Sequence, residues 1–302
     1  MKTRNSIKRY LSPTVLDMVQ RDLSFLLKSI QESNGELDLQ LRNEYFNIYY
    51  KGNSLARIQP KPESNTYEFT VSKQFKLEET IKDLNDNRLV SSNIFLEPKT
   101  NKNSATPKER KYSVAKVPAT LIHPFFQKKV VAKLMSHIKS HGNGEEITFE
   151  QSLMTGNIDR EDFIIIDRQV QTEGDKSRRR MDLLALQQLP ERKYKFVILE
   201  VKLGNNKELE GDVAGQLEEY EKKIDSHFSS FKDCYEENYR QKRQLGVIGD
   251  DSWAEEISII KPVDGRIIVG LYSGIGKKQL AILVENHPNL KNKIDEFWNE
   301  IR

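Results

Sequence analysis

Three charged side chains lie inside apolar stretches of the sequence, where an unpaired buried charge costs several kcal/mol. Asp182 lies in the apolar run 181–186, and Glu200 and Lys202 lie in the run 194–203. Side chains alternate between the two faces of a strand, so Glu200 and Lys202 share a face. Two neighbouring carboxylates repel each other, and a divalent cation that prefers oxygen ligands relieves the repulsion. The pattern indicates either a Mg²⁺ or Mn²⁺ site or a buried ion-pair network.

The lysine extends what such a site could do. If the two runs form neighbouring strands, Asp182 approaches Glu200 and Lys202 on one face. A fixed ammonium group there can hold an attacking water or stabilise the charge that develops on a phosphate. The pattern Glu-x-Lys alone has little weight, because it recurs in this charged chain at Glu97, Glu109, Glu191 and Glu221. Only the copy at Glu200 lies in a long apolar run.

The elements that must position these residues follow from apolar periodicity. The C-terminal part predicts a helix at 124–138, strands at 163–166, 181–186 and 194–203, helices at 211–224 and 227–245, a strand at 265–272, a strand or helix start at 280–284, and a helix at 289–301. The N-terminal part predicts a helix from 13 to 30, strands at 44–50, 55–58 and 66–71, and a short helix at 77–84. This order predicts an α/β fold, a mixed sheet flanked by helices, with an N-terminal α+β region.

A domain boundary is expected near residue 112. Residues 98–112 combine Pro, Thr, Asn and Ser with lysines and show no periodicity, which is typical of a linker. The sequence therefore predicts an N-terminal region over 1–111, for recognition or dimerisation, and a second domain over 112–302.

Composition narrows the function classes. The net charge is only +3, so positive charge is local, as in 99–116 and 176–180, where it either attracts polyanions or forms a solvated loop. The one cysteine, Cys234, excludes an internal disulfide and favours a reducing compartment. The basic start, 1–10, does not predict a signal peptide, because Asp17 and Arg21 interrupt any apolar core that follows it. No apolar run approaches the ~20 residues of a membrane span. A cytoplasmic protein without a membrane partner is expected.

The chain resembles the PD-(D/E)XK nuclease superfamily, which has the restriction-endonuclease-like fold. Members of that family carry an aspartate on one core strand and Glu-x-Lys on the next. A following helix often carries a glutamine and a tyrosine four residues apart. Asp182, Glu200, Lys202, Gln216 and Tyr220 match this pattern in order.

The resemblance covers about residues 115–285 and implies roles for the matching residues. Asp182 and Glu200 would bind Mg²⁺, or Mn²⁺ in its place, with the Val201 carbonyl as a backbone ligand. Lys202 would position or activate water.

The helix residues complete the implied catalytic and nucleic-acid-binding set. Gln216 and Tyr220 would support the site or contact the nucleic-acid backbone, with Gln216 counted among the catalytic residues and Tyr220 among the nucleic-acid-binding ones. Arg178, just before the aspartate strand, is the further candidate for a phosphate contact.

Two features depart from the family pattern. The proline that gives the family its name is absent before Asp182. Many members also place an acid on the helix before the first strand, whereas the predicted helix 124–138 contains none. Gln127 is its nearest polar candidate, and Glu161 or Asp162 are the alternatives.

The resemblance implies a metal-dependent nuclease, an endo- or exonuclease that hydrolyses phosphodiester bonds in DNA, with RNA as the other substrate class. A homodimer is compatible with this function. The alternative is a catalytically inactive module of the same fold that binds nucleic acid or a protein partner.

Overall fold

The structure of the chain, a computed structural model, describes residues 7–83, 112–141, 144–171, 180–270 and 274–296. In these ranges the protein is mixed α/β, with one antiparallel and one mixed sheet, both flanked by helices. The chain divides into two compact units. We call residues 9–143 with 241–247 the N-terminal unit, and residues 1–8, 144–240 and 248–302 the C-terminal unit. No helix in the described ranges is long and apolar enough to cross a membrane.

The N-terminal unit is built around an antiparallel sheet. Its helices are α1 (Pro13–Asp22), α2 (Ser24–Gln31), α3 (Leu77–Asp83) and α4 (Lys128–Ser140), and its strands are β1 (Leu37–Arg42), β2 (Tyr45–Tyr50), β3 (Asn53–Lys61), β4 (Thr66–Ser72) and β5 (Tyr112–Pro118). The described strands follow chain order across the sheet, each antiparallel to its neighbour. In β2 alternate residues are buried, which matches the period of two of a strand with one face on a core.

Two predictions for this unit need correction. The single helix expected from 13 to 30 is two helices, because Leu23 leaves the helical region (φ −116°, ψ 15°). The boundary expected at residue 112 is wrong, because Tyr112–Pro118 pairs along its whole length with β4 and completes the N-terminal sheet. The expected linker at 98–112 lies outside the described residues except for Tyr112.

The C-terminal unit is built around a mixed sheet. Its elements are α5 (Glu145–Gly156), β6 (Phe163–Val170), β7 (Met181–Leu189), β8 (Lys193–Leu203), α6 (Asp212–Ser226), α7 (Phe228–Gln244), β9 (Ser258–Ile259), β10 (Asp264–Gly270), α8 (Gly274–Asn286) and β11 (Ile294–Glu296). The last residues of α7, from Gln241, belong to the N-terminal unit. Among the described strands the order is β11-β10-β8-β7-β6, with β9 also on β8. β6, β7 and β8 are antiparallel, whereas β10 is parallel to β8.

The two faces of this sheet pack against different helices. On one face Leu183, Leu199 and Val201 form an apolar cluster that includes Phe149 and Leu153 of α5. On the other face the ring of Phe196 lies 6.2 Å from that of Phe231 and 5.8 Å from that of Tyr235, both on α7. The opposite packing follows from side-chain alternation along β8.

Three further predictions differ from the structure. The helix expected at 124–138 begins at Lys128, because Gln127 is extended (φ −58°, ψ 148°) and a 3₁₀ turn, His123–Phe126, precedes it. The C-terminal helix expected at 289–301 is wrong over its described part. That part is a 3₁₀ turn, Pro288–Lys293, followed by β11, which pairs in parallel with β10 on the side away from β8. The element expected at 280–284 is the middle of α8.

Candidate metal centre

Two antiparallel strands bring the candidate acids level with each other. Leu183 is the register partner of Leu199, so Asp182 and Glu200 are the next opposing positions, and opposing residues share a face. Lys202 Nζ lies 2.8 Å from Glu200 Oε1 and 3.7 Å from Asp182 Oδ2. β7 and β8 are therefore neighbours, as the predicted approach of Asp182 to Glu200 and Lys202 requires, and the three side chains lie together.

Burial dominates the electrostatics of the two acids. Burial and, to a smaller extent, the charge of Asp182 raise the pKa of Glu200 to about 8, although Lys202 opposes the shift. Burial likewise raises the pKa of Asp182 to about 6, against the effect of Lys202. For Lys202, burial lowers the pKa, but Glu200 and Asp182 outweigh burial and raise it overall. One ammonium group therefore does not fully compensate two buried carboxylates.

Glu200 retains an unused oxygen. The Glu200 side chain is only 2% exposed, so water does not reach its Oε2 freely. This oxygen is buried and has no hydrogen-bond partner among the described residues. A buried carboxylate oxygen without a partner is costly unless a ligand or ion satisfies it. Asp182 and Glu200 together offer hard oxygen donors of the kind that Mg²⁺ prefers, so these residues fit a divalent cation.

The predicted backbone ligand is already part of this arrangement. The Val201 N–H donates to Asp182 Oδ2 at 3.0 Å and so orients the carboxylate across the strand pair. The Val201 side chain is buried in the apolar cluster on the other face. The role of its carbonyl stays a prediction.

An acid-bearing helix precedes the first strand of the sheet, contrary to the expectation from the sequence. It is α5, and the charge of its Glu146 raises the pKa of Asp182. Glu150, one turn later, is buried, and burial raises its pKa to about 7. The missed signals are the paired acids after Gly144 and the apolar residues Phe149 and Leu153, four apart.

The acids suggested in place of that helix lie elsewhere. Asp162 is exposed and pairs with Arg160 at 2.7 Å. Glu161 Oε1 accepts the Ala254 N–H at 3.4 Å. Gln127 immediately precedes α4 in the N-terminal unit.

A buried guanidinium anchors α5 to the sheet. Arg168 donates to Glu150 Oε2 at 3.0 Å and to Gln151 Oε1 at 2.9 Å. A bulge in β6 between Ile165 and Asp167 shifts the register there. Arg168 and Glu150 were not predicted as a pair, because nothing local in the sequence shows that they meet.

The segment after β8 adds one more acid to the lysine. Glu208 belongs to a 3₁₀ turn, Lys207–Glu210, and its Oε2 lies 3.2 Å from Lys202 Nζ. Asn206 precedes this turn, and its Oδ1 accepts the Glu208 N–H at 3.0 Å. Asn206 Nδ2 lies 3.5 Å from Glu146 Oε2. Lys202 is thus shared among three carboxylates.

The glutamine and tyrosine of α6 are both buried, and α6 packs against β8 and β10. The Tyr220 hydroxyl donates to the Arg180 carbonyl at 3.1 Å, two residues before Asp182. Burial raises the pKa of Tyr220, and the charges of Glu200 and Asp182 add to the shift. Gln216 lies one helical turn earlier on the same side of α6. Arg178 lies outside the described residues.

The described side chains do not by themselves complete a metal coordination shell. Within the described ranges, no group of three or more His, Cys, Asp or Glu residues forms a metal-binding cluster. Mg²⁺ commonly binds through one or two carboxylates and keeps several waters, or takes substrate phosphate oxygens. The donor set of Asp182 and Glu200 is of that kind.

Comparisons of the chain with protein-family models, with curated proteins and with solved structures found no match.

Proposed function

We propose that this protein is a metal-dependent nuclease with a restriction-endonuclease-like C-terminal unit, hydrolysing phosphodiester bonds in DNA. One observation carries the proposal: Asp182, Glu200 and Lys202 converge on one face of β7 and β8, and no residue that the structure describes hydrogen-bonds to the buried Glu200 Oε2. The resemblance to PD-(D/E)XK nucleases supports the same assignment.

Each residue has a distinct task in this proposal. Asp182 and Glu200 would hold Mg²⁺ or Mn²⁺, with Val201 as the backbone ligand and Glu146 as a further nearby acid. A bound divalent cation polarises a phosphate and lowers the pKa of water. Lys202 orients the attacking water and stabilises negative charge on the phosphate.

Tyr220 supports the site from α6 in this proposal. Its hydrogen bond to the Arg180 carbonyl holds the start of β7, the strand that carries Asp182. Gln216 lies buried on the same helix. We retain DNA as the substrate, RNA as the second substrate class, a homodimer and a cytoplasmic location as parts of the proposal.

The test is cleavage of single- and double-stranded DNA and RNA by the full chain with Mg²⁺ or Mn²⁺. Glu200→Ala and Lys202→Ala should each abolish cleavage. The matched controls are Glu191→Ala and Lys193→Ala, a second Glu-x-Lys pair, largely exposed and joined at 2.7 Å. Both controls should cleave like the wild type. Wild-type cleavage by both Glu200→Ala and Lys202→Ala would refute the proposed site.

The alternative function is an inactive module that binds nucleic acid or a protein. It is favoured by the three carboxylates around Lys202, since this arrangement also forms a self-contained ion-pair network. Calorimetry separates the two functions. A Mg²⁺ or Mn²⁺ binding signal that Asp182→Asn removes supports the enzyme, whereas DNA binding without metal dependence supports the module.

A further inference from the structure

The carboxylates around Lys202 differ in exposure. The side chains of Glu200 and Asp182 are 2% and 14% exposed, whereas that of Glu208 is 42% exposed. Glu208 also lies on a different element, the 3₁₀ turn Lys207–Glu210, rather than on the core strands. It is the acid of this group that the proposed metal-ligand set does not use.

Charge balance gives Glu208 a task once a cation binds. A divalent cation neutralises the two negative charges of Asp182 and Glu200, which then no longer compensate the ammonium of Lys202. Like charges at short range repel strongly in a partly buried site. Without a further anion, the Lys202 ammonium would either move away from the divalent cation or weaken the binding of that cation to the site.

We propose that Glu208 is a positioning residue that holds the Lys202 ammonium beside the metal when Asp182 and Glu200 engage it. This inference rests on the proposed function. Glu208 contributes the remaining negative charge through its 3.2 Å contact with Lys202 Nζ. A lysine ammonium has three donors, so this contact also orients the group toward the substrate phosphate.

A purely structural role of the Glu208 side chain can be distinguished from the proposed positioning role. The 3₁₀ turn is capped by the hydrogen bond from the Glu208 backbone N–H to the Asn206 side chain. This bond does not involve the Glu208 carboxylate. Glu208→Gln therefore preserves the cap and removes the charge. Glu208→Asp keeps the charge on a shorter side chain. Glu210→Gln is the matched control, because Glu210 lies in the same turn and pairs with Gln279 at 3.3 Å.

The experiment follows the Lys202 side-chain ammonium by ¹⁵N NMR during a Mg²⁺ titration of the full chain, with Lys202→Arg to assign the signal. In the wild type and in Glu210→Gln, the signal should persist without and with Mg²⁺. In Glu208→Gln it should persist without Mg²⁺, held by Glu200, and disappear on saturation. The Mg²⁺ Kd should rise about tenfold, as expected for loss of one charge-assisted contact.

Activity supplies a second readout. The kcat of Glu208→Gln on DNA should fall about tenfold with little change in KM, and Glu208→Asp should recover part of the loss. A persistent Lys202 signal and unchanged Kd in Mg²⁺-loaded Glu208→Gln would overturn the inference while leaving the proposed function intact. No Mg²⁺ binding to the wild type would contradict both.

Discussion

At the residue scale, the site is governed by the cost of burying carboxylates. Burial raises the pKa of both Asp182 and Glu200, and Lys202 offsets only part of this effect. The excess of negative charge that makes Asp182 and Glu200 bind protons in the metal-free protein also makes the site suited to a divalent cation. The charge of these two carboxylates therefore affects the stability of the protein, its metal affinity and the proposed chemistry.

This imbalance predicts a pH dependence of stability. The pKa of Glu200 is about 8 in the folded protein and 4.5 ordinarily, so between these values the folded state binds more protons than the unfolded state. The stability associated with this proton is present below the ordinary pKa and is lost as pH rises through the folded pKa. Without metal, the free energy of unfolding should therefore fall between about pH 5 and pH 8.

Glu200→Gln removes this contribution. In urea unfolding with a chelator present, the variant should lose less stability than the wild type over that range, by on the order of several kcal/mol. Glu191→Gln, at an exposed position, should follow the wild type. Identical pH slopes for wild type and Glu200→Gln would show that this carboxyl does not carry a raised pKa.

At the element scale, helices and turns complete a site whose centre lies on two strands. The charge of Glu146 on α5 raises the pKa of Asp182, and the 3₁₀ turn Lys207–Glu210 places Glu208 Oε2 3.2 Å from Lys202 Nζ. α8 approaches the backbone just after β8 very closely. A Cβ on Gly276 would lie 2.4 Å from the Gly204 carbonyl oxygen, so only glycine fits there.

Gly276→Ala should therefore force α8 away from the residues that follow Lys202. We expect it to lower the free energy of unfolding by about 1–3 kcal/mol, typical of overpacking. The metal affinity should fall as well, because Gly204 is tied to Gly270 by a 2.8 Å hydrogen bond at the end of the sheet. Urea unfolding and Mg²⁺ calorimetry measure the two effects.

The same helix supplies the control. A Cβ on Gly274 would meet nothing within 4 Å, so Gly274→Ala should leave both quantities near their wild-type values. Equal behaviour of the two alanine variants would mean that the close backbone approach has no energetic consequence.

At the scale of the whole molecule, neither unit is continuous in sequence. The N-terminal unit includes residues 241–247, which follow most of the C-terminal unit along the chain. Within the N-terminal unit, Gln241 makes two hydrogen bonds to the buried backbone of Leu11, accepting its N–H at 2.9 Å and donating to its carbonyl at 2.8 Å. The start of the unit is thus held by its last segment.

Gln241→Ala should leave the buried N–H and carbonyl of Leu11 without these partners. A buried unsatisfied backbone group costs about 1–3 kcal/mol, so a loss of this order in the free energy of unfolding is expected. Gln244→Ala is the control, because Gln244 is exposed and its amide contacts the side chain of Gln20. A loss that is no larger for Gln241→Ala than for Gln244→Ala would contradict this role.

Local sequence was sufficient for the strands at the centre of the site. Apolar runs predicted β7 and β8, and side-chain alternation placed Glu200 and Lys202 on one face, whereas Asp182 joins them through the pairing of β7 with β8. Strand periodicity repeats every two residues, so it can be read without knowledge of the rest of the chain.

Tertiary structure alone decided which other elements join that centre. Glu208 contacts Lys202 from a 3₁₀ turn, Glu146 on α5 lies beside Asn206 next to that turn, and Tyr112–Pro118 joins the N-terminal sheet although a boundary was expected there. These outcomes depend on strand pairing and helix packing between residues distant in sequence. The free energy of such contacts comes from surfaces that meet only in the folded protein, so no local pattern encodes them.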